Sequence, residues 1–127
     1  MEEELYNRAS RFFKGIESSP ELREQIKESD QVIQFDPKAG VPFYVQIKQG
    51  KVDFGKGKKY PPNVEDGLYI TGDQESLESL FKGKMTFAET FYHHRIQIPG
   101  YWEKEPLMVR FSKLLQKGIK VYGLDHL

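Results

Sequence analysis

Two adjacent histidines, His93 and His94, stand in the segment TFAETFYHHRIQIPG together with Glu89, Thr90 and Arg95. Imidazoles beside a carboxylate and a hydroxyl could build a zinc centre or a proton-transfer site, because both need donors that converge on one point. The spacing denies that convergence. Neighbours point to opposite faces of a strand and diverge by about 100° on a helix, so His93 and His94 do not share one ion. The remaining histidine, His126, is near the far end of the chain, and no HExxH or comparable ligand spacing occurs. No metal and no cofactor are expected. Where a helix gives way to RIQIP, His94 is instead expected in a left-handed backbone conformation, which histidine tolerates better than most non-glycine residues.

Other catalytic templates are missing from the sequence. There is no GxSxG elbow and no Walker loop, and GKGKK lacks the strand-to-helix setting that cradles phosphate. Glu65 with Asp66, and Glu103 with Glu105, lie in polar loop sequence and read as solvated charges. Zero cysteines exclude disulfides, thiolate chemistry and cysteine-bound zinc. No catalytic residue is expected, and the chain reads as a non-enzyme. Lysines 48, 51, 56, 58 and 59 either blunt an exposed hairpin or attract anions, and Lys56, Lys58 and Lys59 are the candidates for contact with phosphate headgroups.

What must position any site is one domain's worth of chain. The 127 residues, 38% hydrophobic and 30% charged, suit a single globular unit that buries roughly 65 to 70% of its unfolded surface. The formal net charge is zero but unevenly spread: residues 61–80 hold five acids and no base, residues 81–127 eight bases and four acids. No overall basic character supports nucleic-acid binding. No apolar run spans a bilayer, and MEEELYNRAS lacks the apolar centre of a signal peptide, so a cytoplasmic location is the expectation.

The apolar pattern supplies the elements. Leu5, Phe12, Phe13 and Ile16 fall at helical spacing, and Ser19 followed by Pro20 starts a second helix. After Asp30 the period becomes two: Gln31 to Asp36 is a short strand, and PFYVQIK and KVDFG pair across a tight turn at Gln49 and Gly50. GLYITG is a further strand, Asp73 caps a short helix, and Thr86 with Glu89 forms a capping box for the next. RIQIPG is a strand that Pro99 confines to an edge or ends. EPLMVRFSKLLQKG is an amphipathic helix, with Gly118 as its stop. Helices, strands, a helix pair, a strand and a helix in that order give an α+β class.

In their order and spacing, FYVQIKQGKVDFGKG, VEDGLYITGD, LFKGKM, RIQIPG and PLMVRFSKLLQ resemble the sterol carrier protein type 2 family, the nonspecific lipid-transfer kind. The resemblance runs over about residues 20 to 117 of a single domain spanning 1–127. Residues 1–19 are an N-terminal helix before it, and 118–127 a C-terminal extension. It implies an α/β sandwich: a five-stranded sheet with helices over one face, enclosing an apolar tunnel for fatty acids, acyl chains or sterol- and isoprenoid-like molecules. By position the tunnel would be lined by Leu77, Leu80, Phe81, Met85, Phe87, Phe91, Ile96, Ile98, Leu107, Met108, Phe111 and Leu115, with Trp102 beside its mouth. The chain departs from the family in having His94 where relatives usually have glycine, PGYWEKEP in place of a short loop, and the tail GIKVYGLDHL. That tail lacks the small residue of a peroxisomal address.

Two functions share such a tunnel. One is a carrier that binds and transfers lipid, touching anionic membranes transiently; the other is an accessory subunit presenting an apolar substrate to a partner enzyme, with Tyr122 and Leu124 as its contact surface. A hydrolase lacks a nucleophile with an evident base.

Overall fold

The computed structural model describes residues 4–27, 30–120 and 123. Its first helix, α1 (Glu4–Ser18), turns Leu5, Ala9, Phe12, Phe13 and Ile16 to one side, and all five are buried. Then α2 (Pro20–Ile26) starts where expected, with the Ser19 hydroxyl accepting from the Leu22 amide and Pro20 in the first turn. Strand β1 (Gln31–Pro37) follows, and β2 (Phe43–Lys48) and β3 (Lys51–Lys56) form the expected hairpin. Gln49 (φ 52°) and Gly50 (φ 78°) both take the left-handed conformation, whose twist suits a two-residue hairpin turn.

Next come β4 (Gly67–Gly72), α3 (Gln74–Lys82), α4 (Phe87–Tyr92), the two-residue β5 (Ile96–Gln97) and α5 (Glu105–Lys120). Asp73 caps α3 through the Ser76 amide at 2.7 Å. Thr86 and Glu89 exchange both hydrogen bonds of a capping box at 3.1 Å each. Two expectations need correction. The strand RIQIPG shrinks to Ile96–Gln97, because Pro99 has no N–H for a ladder and the Ile98 carbonyl already accepts from Tyr101. Gly118 does not stop α5: it is buried within the helix, and Phe111, Leu114, Leu115 and Ile119 keep one stripe on the core past it. That packing outweighs the roughly 1 kcal/mol glycine costs a helix interior.

The strands make one sheet in the order β3-β2-β1-β4-β5, with β1 and β4 parallel and every other pair antiparallel. Gly72 permits the last pairing, since a Cβ there would stand 2.8 Å from the Arg95 carbonyl. Register sets Ile33 beside Val45 and Leu68, and Phe35 beside Phe43 and Ile70, so one face is uniformly apolar. The helices cover that face, which gives the α+β sandwich.

Over the apolar face aromatic rings pack against one another. Phe12 and Phe13 of α1 meet Phe81 of α3 at 5.5 and 6.0 Å between ring centres, and Phe81 meets Phe35 of β1 at 5.9 Å. Phe111 of α5 touches Phe35 at 6.0 Å and Phe87 at 5.4 Å. These contacts run from α1 across the sheet to α4.

The other face of the sheet is crossed by residues 57–66, which carry the chain from the end of β3 to the start of β4. Gln34, fully buried, fastens this strap. Its Oε1 accepts from the Lys59 and Tyr60 amides at 2.9 and 3.0 Å, and its Nε2 donates to the Phe43 and Gly57 carbonyls at 3.0 Å each. Beside it the Tyr69 hydroxyl donates to the Asp36 carboxylate, which also pairs with Lys58 at 3.4 Å.

Candidate functional site

The chain between α4 and α5 shapes an open apolar surface. Helix α4 ends with His94 left-handed (φ 59°), as its position implied. The Arg95 amide reaches back to the Thr90 carbonyl and the His94 amide to Phe91, both at 3.0 Å, which is a Schellman motif with histidine where glycine is usual. The backbone then runs through β5 to Gly100 (φ 70°), which opens a single 3₁₀ turn, Tyr101–Glu103. Lys104 fixes that turn by donating its ammonium to the Val64 carbonyl at 2.6 Å.

This return path presses the turn against α4. Phe91 meets Tyr92 at 5.5 Å and Tyr101 at 5.3 Å, and Tyr101 meets Trp102 at 5.3 Å, each pair edge to face. An apolar groove lies on each side of this aromatic ridge. The first, of about 440 Å³, runs between α4 and α5 along Phe87, Phe91, Trp102, Met108 and Val109, with Glu105 and Ser112 as its polar rim. The second, of about 660 Å³, is bounded by Phe91, Ile96, Ile98, Pro99 and Trp102, with His94 and Gln97 at its edge. Both volumes fall within the 300 to 1,000 Å³ or so that small-molecule sites occupy.

Exposure singles out the same place. Among the described residues the large hydrophobic side chains open to solvent are Tyr92 (75%), Trp102 (71%), Tyr101 (49%) and Val109 (44%), and all four line these grooves. Scattered exposed apolar residues need no explanation, whereas a gathered set marks a contact surface.

The residues named from the sequence therefore divide. Phe87, Phe91, Ile96, Ile98, Trp102 and Met108 come together around the ridge. Leu77, Leu80, Phe81, Phe111 and Leu115 are core, as are Phe87, Ile96 and Ile98, which also border the grooves, and Leu107 packs partly buried against it. Met85 stands apart, between a polar crevice shared with Lys82 and Arg95 and a narrow pocket of about 40 Å³ beside Leu80 and Leu115. Sequence reasoning missed Tyr92, Tyr101 and Val109. Val109 did carry a signal, since it is an apolar residue on the solvent side of α5, opposite the buried Phe111, Leu114 and Leu115.

Lys56, Lys58 and Lys59 sit far from the grooves, at the β3 end of the sheet and along the strap, and each is engaged. Lys56 lies 5.0 Å from the Tyr6 ring centre, Lys58 pairs with Asp36, and Lys59 lies 4.9 and 5.6 Å from the Tyr44 and Tyr60 rings. His93 closes α4 while His94 turns away at its left-handed position. Among the described residues no three His, Asp or Glu side chains gather as a metal ion requires, and no helix is long and apolar enough to cross a membrane. Tyr122, Leu124 and His126 lie outside the described residues.

No family model matches the chain, and no curated protein matches it in sequence. In three dimensions it is similar to sterol carrier protein 2 from Yarrowia lipolytica, in the apo form, with 21% identity and a TM-score of 0.56 over 86% of this chain and 87% of that one. The sterol carrier protein 2 fold is therefore the fold of this chain, and its chemistry has to be argued from its own surface.

Proposed function

We propose that this protein is a non-catalytic lipid carrier that holds acyl chains in the two grooves flanking the ridge of Phe91, Tyr92, Tyr101 and Trp102. The observation that carries this reading is the gathering of the exposed large apolar side chains around those grooves. The fold likeness to a sterol carrier protein supports it. A flexible methionine and edge-to-face rings make an adaptable wall, which suits chains of varied shape better than one rigid ligand. Catalysis has little to work with here: Ser112 borders one groove and His94 the other, and no hydrogen bond joins that hydroxyl to a base among the described residues.

Binding by this site is mainly hydrophobic, at about 0.8 kcal/mol for each methylene removed from water, so affinity rises about fourfold per methylene until the grooves are full. The test is a titration of delipidated protein with saturated fatty acids of increasing length, followed by the emission of Trp102, the only tryptophan. Emission should move to the blue as the long chains bind. Failure of every chain length to bind, by emission and by calorimetry, refutes the proposal.

A further inference from the structure

We propose that the solvent face of α5, together with the aromatic turn beside it, is a docking surface for an anionic lipid bilayer. The inference rests on the reading of the grooves as lipid sites, because Tyr101 and Trp102 belong to both.

Two independent features meet on this face. The first is the exposed aromatic set, whose tyrosine and tryptophan rings are the side chains that settle at the headgroup level of a membrane. The second is charge. Beyond Glu105, α5 carries Arg110, Lys113, Lys117 and Lys120 and no acid. At 100° per residue these four fall within an arc of about 80°, turned away from Phe111 and Leu115, and Val109 lies between that arc and the first groove. None of the four pairs with an acid among the described residues. The helix dipole accounts for cations in the last turn only, and Arg110 and Lys113 stand well before it.

Three of the four cations are lysines, which protein interfaces avoid and anionic headgroups attract, so the composition favours a bilayer over a protein partner. Glu103 and Glu105, exposed on either side of Lys104, stand next to the aromatic turn. Their charge keeps contact at the headgroup layer and out of the hydrocarbon. Docked this way, α5 lies along the surface and both grooves open toward the lipid they exchange.

The test uses the full chain with vesicles of phosphatidylcholine alone and of phosphatidylcholine with 30% phosphatidylserine. Binding should be at least tenfold tighter on the anionic vesicles and should weaken as salt is raised, with Trp102 quenched by brominated lipid. Lys113→Glu with Lys117→Glu should lower vesicle affinity by about twentyfold or more, at about fivefold per lost cation. The same variant should bind fatty acid normally in the absence of vesicles, which separates docking from the groove reading. If that pair disturbs folding, Lys113→Gln with Lys117→Gln replaces it, with a smaller expected loss. Lys56→Gln, Lys58→Gln and Lys59→Gln together should change nothing. Equal binding to both vesicle types overturns the proposal, as does loss of binding in the hairpin variant but not in the α5 variant. So does a dimer that forms without lipid and is abolished by Trp102→Ala, since the face then belongs to a second copy.

Discussion

Tyr69 donates a hydrogen bond from its hydroxyl to the Asp36 carboxylate beneath the strap, and its titration records that setting. Burial pushes its pKa up to about 12, and the hydrogen bond to Asp36 and that group's negative charge push in the same direction. Because the folded pKa is raised above the ordinary value near 10, the stability this phenol contributes is complete below pH 10 or so. It is lost as pH rises through about 12. Tyr69→Phe should therefore cost about 1.5 kcal/mol in urea denaturation at pH 7, the scale of a hydrogen bond to a charged group. It should also flatten the loss of stability between about pH 10 and 12. Met108 gives the complementary test at the groove. Met108→Trp should leave ligand-free stability within about 1 kcal/mol while weakening long-chain fatty acids about tenfold and sparing short ones, as measured by denaturation and titration. A loss of 1 to 3 kcal/mol with unchanged affinity would instead mark Met108 as close-packed core.

The strap and the return between α4 and α5 show how loops of this fold are held by single side chains. Gln34 uses both amide hydrogens and its carbonyl oxygen on backbone groups of the strap and β2, which leaves no capacity idle. Gln34→Met keeps the volume but strands the part-buried Lys59 and Tyr60 amides and the Gly57 carbonyl, each at a desolvation cost. The expected loss is about 3 kcal/mol. Hydrogen exchange should accelerate at Lys59 and Tyr60 but not along β1 paired with β4. At the other loop, His94 and Gly100 supply the left-handed turns that bring the rings of the ridge together.

For the molecule as a whole, α1 decides what the sheet face encloses. Phe12 and Phe13 pack on Phe81, which in turn meets Phe35 of the sheet. The lipid surface proposed here is consequently at the rim, between α4, α5 and the β5 edge. Phe13→Ala should destabilise the protein by about 3 to 5 kcal/mol in chemical denaturation, through lost burial and the hole left behind. That hole, walled by Phe12, Phe54 and Phe81, should be dry and admit a small apolar probe such as benzene, which the parent protein should not bind there.

Short-range chemistry was readable from the residues alone. The caps at Ser19, Asp73 and Thr86, the hairpin turn at Gln49 and Gly50 and the left-handed His94 each depend on a few neighbours in the chain, and all are observed. The alternation of the strands and the order of elements likewise carried the fold class and its sterol carrier protein likeness. The helical stripe made by Leu77, Leu80, Phe81, Phe111 and Leu115 has the same spacing whether it faces packed rings or a ligand. Periodicity therefore placed these residues on an inner face and went no further. Only the tertiary structure separated them from Phe91, Trp102 and Met108, which reach the surface at the rim, and showed that Ile96 and Ile98 are buried in the core while bordering a groove, because that depends on what lies opposite each side chain. The same long-range arrangement brought Tyr92, Tyr101 and Val109, from three different elements, into one exposed patch.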